Sequence, residues 1–186
     1  MIFRCLTLFA LLLAACFAIA APSGKPAFSF NAVDYFHRWS KGDQHEFTPE
    51  KQEDLKKWAD MITLNAYPDV RDGDALAAKA NAVLENYTKN RARVLKTNSV
   101  PRTADRPAEH LIAVVFGRPE FIEVAFARFK MIDSAGCSIV SSHRIYGEKI
   151  GDQMSTWLSA NGQKVEKALM EWETIPSPKS FSAARL

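Results

Sequence analysis

The sequence predicts an α+β domain, a mostly antiparallel sheet of about six to seven strands with helices packed on it. Three observations carry this expectation. Residues 110–116, 121–131 and 137–146 are runs rich in β-branched and aromatic side chains, separated by Gly117-Arg118-Pro119 and Asp133-Ser134-Ala135-Gly136. Short breaks between such runs are the mark of consecutive strands in a meander. Residues 75–90 place Leu76, Ala80, Val83, Leu84 and Tyr87 on one helical stripe. Residues 150–172 hold Ile150, Met154, Trp157, Leu158, Val165, Ala168, Leu169 and Trp172 in one helical phase, with a break or kink expected at Asn161-Gly162.

In chain order, residues 1–21 read as an export signal. One positive charge, Arg4, precedes an uncharged apolar run that ends in Ala18-Ile19-Ala20, a small-x-small cleavage pattern, so cleavage is expected near Ala20 or Ala21. An alternative lies in Leu13-Ala14-Ala15-Cys16, which resembles a lipobox and would leave Cys16 lipidated. Residues 22–32, rich in Ala, Pro, Ser and Gly, read as a flexible lead-in, residues 33–173 as one α+β domain and residues 174–186 as a disordered tail. Residues 33–39 and 45–48 flank Gly42 as a hairpin, with Val33, Tyr35, His37 and Trp39 alternating onto one face. Thr48-Pro49-Glu50 has the residue types of a helix start and predicts a short helix burying Leu55 and Trp58. Residues 61–67 and 93–100 complete the strands, and Asp69, Asp72 and Asp74 suit the positive end of the helix that follows them.

The 186 residues are 47% hydrophobic and carry a net charge of +3, which offers nucleic acid no polycation. The charge is uneven: residues 22–85 hold 8 Lys and Arg against 11 acids, and residues 86–149 hold 11 against 6. Once the leader is removed, Cys137 is the only cysteine, so an exported form has no internal disulfide and depends on its core. At the start of a strand Cys137 reads first as a small buried hydrophobe.

Motifs for most chemistries are absent. His37, His45, His110 and His143 show no metal-ligand spacing, unless the strands bring His110 and His143 together. No GxSxG elbow and no phosphate-binding glycine loop is present, and no cofactor is implied. Ser141 and His143 share a strand face by alternation. The candidate binding residues are Arg118, Arg128, His143, Arg144 and Tyr146, in a basic and aromatic set able to meet a carboxylate, a phosphate or an acidic protein.

The element order β-β-α-β-α-β-β-β-β-α, over most of residues 33–173, resembles the Mog1/PsbP-like fold. That resemblance rests on element order. It implies small exported or envelope-associated accessory proteins and transfers no residue role. The expectation is an exported, periplasmic, non-enzymatic protein that binds an envelope or secreted partner, immunity-like in one variant. It touches membrane only if lipidated at Cys16. The alternative is a small-molecule binder or hydrolase with a pocket between sheet and helices, lined by Cys137, His143, Arg144 and Tyr146.

Overall fold

In the computed structural model, which describes residues 24–182, one sheet runs through the middle of the domain. The elements are β1 (Phe28–Phe30), β2 (Val33–Lys41), β3 (Gln44–Pro49), β4 (Asp60–Tyr67), α1 (Gly73–Lys89), β5 (Arg93–Val100), β6 (Glu109–Gly117), β7 (Phe121–Ile132), β8 (Ala135–Tyr146), α2 (Ile150–Trp157), a π-helical turn (Leu158–Gly162), α3 (Gln163–Glu171) and α4 (Lys179–Ser182). The sheet order is β1-β2-β3-β4-β8-β7-β6-β5, and every pairing is antiparallel. The fold is therefore α+β as expected, with eight strands rather than six or seven. The leader, including Cys16, and residues 183–186 lie outside the described residues.

Helices cover both faces. Leu76 and Ala80 of α1, with Val83, Leu84 and Tyr87 half-buried, pack on Ile112, Val114, Ala125, Ala127 and Phe129. On the opposite face Met154 and Leu169, with Trp172 beyond α3, pack on Phe47, Ile62, Leu111, Val124, Phe126 and Ile139. Period-two alternation along β7 divides its side chains between these two cores, which is why the run is apolar nearly throughout. Asp72 caps α1, its carboxylate accepting from the Ala75 amide at 2.8 Å. The interruption expected at Asn161-Gly162 is the π turn, where one wide turn joins α2 to α3 without ending the helix.

Four local expectations are corrected. Phe28–Phe30, assigned to the flexible lead-in, pairs with Val33–Tyr35 as β1 and buries Phe30 against Trp172. Residues 50–59 form turns instead of a helix. Lys51 takes a left-handed conformation (φ 65°), and the Gln52 side-chain carbonyl accepts from the amides of Ala59 and Asp60, both at 2.8 Å, holding a loop that lays Trp58 on the sheet. A β-bulge at Arg38 sets His37 opposite Phe47 but Trp39 opposite Glu46, so Trp39 leaves the face of Val33, Tyr35 and His37. In the region assigned to a disordered tail, Phe181 on α4 packs edge-on to Phe47 at 4.8 Å.

Candidate functional site

Antiparallel pairing of β4 with β8 sets Asp60 opposite His143. The His143 Nδ1–H donates to Asp60 Oδ1 at 2.8 Å, and the imidazole stacks on the Trp157 indole at 4.1 Å and 6°. The last turn of α2 thus lies flat on a histidine that its partner strand orients. Beside this group opens a pocket of about 170 Å³, lined by Phe30, Tyr35, Asp60, Phe126, Ser141, His143, Trp157 and Asn161 among others. Burial, and after it the Asp60 charge, push the Tyr35 hydroxyl well above its ordinary range, so it stays a neutral donor. Asn161 is held in the π turn, its amide donating to the Trp157 carbonyl at 3.1 Å. Ser141 and His143 share this wall as alternation predicts, but no hydrogen bond joins them among the described residues.

Arg144 and Tyr146 project from the opposite face of β8. The Arg144 guanidinium lies between Trp58, 3.9 Å to the ring centre, and Phe121, 4.2 Å, and its Nε donates to Glu123 at 2.7 Å. Tyr146 donates to the Trp58 carbonyl at 3.0 Å. The loop over residues 50–59 therefore closes on these two side chains. A shallow groove of about 310 Å³ continues from Glu123 past Gln44, Thr63, Asn65 and Ser142 to Tyr87, Phe116 and Arg118 at the end of α1. Arg118 reaches the Asn90 carbonyl at 3.4 Å.

Burial pushes the Glu46 carboxyl above its ordinary range. Contact with Gln44 and the Arg144 charge oppose this, and the Glu123 charge adds to it. A raised carboxyl binds its proton more tightly folded than unfolded, so its charge costs stability at neutral pH and costs nothing once pH falls below the ordinary carboxylate range. Glu46→Gln is accordingly expected to raise the urea midpoint at pH 7 and to leave it unchanged near pH 3. A midpoint equally raised at both values would mean that the charge is not the cause.

Arg128 and Cys137 leave the candidate set. The Arg128 side chain is 1% exposed and committed to Glu109 and to carbonyls at the end of α3, so it is not available as a binding group. Cys137 sits at the far end of β8, apart from His143, Arg144 and Tyr146, and burial pushes its thiol up to about 11, unfavourable for a nucleophile. His110 and His143 do not meet: they lie on strands separated by β7, opposite Phe129 and Val124. No cluster of metal-ligating residues occurs among the described residues. The sequence reading missed Asp60, Tyr35, Trp157 and Asn161 as site residues. Trp157 carried a signal only as one member of an apolar stripe.

The sheet also ends in an open edge. All eight residues of β5 are exposed, including Val94 at 40%, Leu95 at 42% and Val100 at 46%, and nothing among the described residues pairs with its outer side.

No protein-family model matches the chain, and no curated protein matches it in sequence. Among solved structures, it is similar to the Ran-binding protein Mog1p of Saccharomyces cerevisiae, with 12% identity over 74% of this chain and 82% of that one, at a TM-score of 0.48. It is also similar to human STARD10, with 9% identity over 81% of this chain and 76% of that one, at a TM-score of 0.30. At this distance neither carries a partner, an activity or a residue role to this chain.

Proposed function

We propose that this protein is an exported accessory protein that binds an extended, acidic segment of an envelope or secreted protein along β5. The open edge of β5 carries the reading. A long unpaired edge strand invites pairing with another chain, and proteins that do not use such an edge usually shorten, cover or interrupt it. Here it has eight residues, three of them exposed aliphatics, and it is neither short nor covered, though a bulge at Leu95 and the charge of Lys96 break its middle. The charge around it selects the partner: Arg91, Arg93, Arg102 and Arg106 are all exposed at its two ends. An acidic segment would therefore be steered to the edge and then held by main-chain hydrogen bonds. Export is supported by Arg4, the uncharged apolar run that follows it and the Ala18-Ile19-Ala20 pattern.

The test uses the full chain expressed with its leader and a photo-cross-linking residue in place of Leu95 or, as control, of Glu85 on the outer side of α1. The expected result is one adduct of discrete mass from Leu95, absent from Glu85 and lost with Arg93→Glu, with its cross-linked peptide acidic. Equal adducts from both positions, or none from Leu95, would overturn the reading. The intact mass of the exported protein tests the leader separately. Cleavage near Ala20 or Ala21 is expected, and a lipid adduct on Cys16 would establish the anchored alternative.

A further inference from the structure

We propose that the pocket between the β1–β2 turn, the β4–β8 pair and the π turn binds a small organic cation of the alkylammonium class. Its walls include four aromatic rings, Phe30, Tyr35, Phe126 and Trp157, drawn from β1, β2, β7 and α2. Its one carboxylate is Asp60, and no lysine or arginine lines it. Asp60 Oδ1 accepts from His143, while Oδ2 has no hydrogen-bond partner among the described residues and the side chain remains 40% exposed. An anion entering here would meet the Asp60 charge. A neutral apolar molecule would strip water from that carboxylate and return nothing. An ammonium satisfies the carboxylate and suits an aromatic lining, the combination found in aromatic cages for alkylated amines. The volume of about 170 Å³ lies below the range of drug-sized sites, so the ligand is a small ion or the end group of a longer one.

The parts are held in place before any ligand arrives. His143 is fixed at once by Asp60 and by the stacked Trp157 ring, and Phe30 packs on Trp172 at 4.9 Å. The π turn sets Asn161 at the pocket wall by tying its amide to Trp157. This site is separate from the β5 edge and stands or falls without it.

The probe is tetramethylammonium chloride, titrated calorimetrically into the full mature protein, with tert-butanol as a neutral molecule of similar shape. The cation is expected to bind about tenfold or more tightly than the alcohol. Asp60→Asn and Trp157→Leu are each expected to weaken it by about tenfold, while Arg93→Glu leaves it unchanged. Should either pocket variant fail to fold, the comparison of cation with alcohol on the unaltered protein still decides. Equal binding of the two would make the pocket an apolar cavity only, and no heat from tetramethylammonium would overturn the proposal outright.

Discussion

Replacing Arg128 with alanine is expected to cost about 3–5 kcal/mol, the loss associated with breaking one half of a buried ion pair. The side chain enters the core from the middle of β7 and divides its donors between two jobs. Nε and Nη2 each approach Glu109 Oε2 at 2.7 Å, and Nη1 donates to the carbonyls of Leu169 at 2.8 Å and Trp172 at 2.9 Å. Those carbonyls belong to the end of α3, where the last backbone acceptors have no helical partner and the helix dipole is negative. Alanine would leave the Trp172 carbonyl without a donor, the Leu169 carbonyl with only the Trp172 amide at 3.4 Å, and Glu109 with only Lys130, 3.5 Å away. Lysine keeps the charge but not the fork, so Arg128→Lys should fall between, at about 1–3 kcal/mol. Urea unfolding measures both, and amide exchange should rise in the final turn of α3 for alanine. Because the pair is buried, the loss should be nearly the same at low and high salt. A loss below about 1 kcal/mol would return Arg128 to the set of binding residues.

That arginine shows where reading the sequence stops. Alternation puts Arg128 on the face of Ile122, Val124 and Phe126, and from the sequence it counts only as one of a basic and aromatic set able to meet an acidic ligand. What buries it is the end of a helix 41 residues later in the chain, a contact with no local signal. The same limit governs the pocket. The pair His143 and Asp60 spans 83 residues, and Tyr146 with the Trp58 carbonyl spans 88. Both depend on the register of β8 against β4, which depends in turn on every strand between. Elements with their own period were legible: the β6–β8 meander, β5 and α1, whose apolar stripe packs as expected. Features set by a single residue's backbone were not. The bulge at Arg38 moved Trp39 to the other face, and Lys51 at positive φ left Thr48 and Pro49 at the end of a strand despite a good helix-start pattern. Only three residues long, β1 offers too short a pattern to stand out from the Pro- and Ser-rich segment around it.

Gly136→Ala is expected to destabilise by about 3 kcal/mol, toward the upper end of what one added methyl costs in a packed core. In the sequence this glycine looked like turn punctuation. The turn between β7 and β8 is instead made by Asp133 and Ser134, both at positive φ (49° and 61°), and Gly136 lies within β8. It is there because the loop after β4 closes onto it. A Cβ at this position would stand 2.7 Å from Val70 Cβ, closer still to Val70 Cγ1, and 3.2 Å from Leu76 Cδ1. The backbone cannot retreat, since the Gly136 amide donates to the Val70 carbonyl at 2.8 Å and the strand is paired to β4 and β7 on either side. Val70 and Leu76 are themselves buried in the core beneath α1. Shortening the obstacle should therefore relieve the insertion. Val70→Ala with Gly136→Ala is expected to be about 1–2 kcal/mol more stable than the sum of the single losses predicts. A double mutant that is simply additive would show that the methyl is resisted elsewhere, and an alanine tolerated within about 0.5 kcal/mol would show that the loop yields to it.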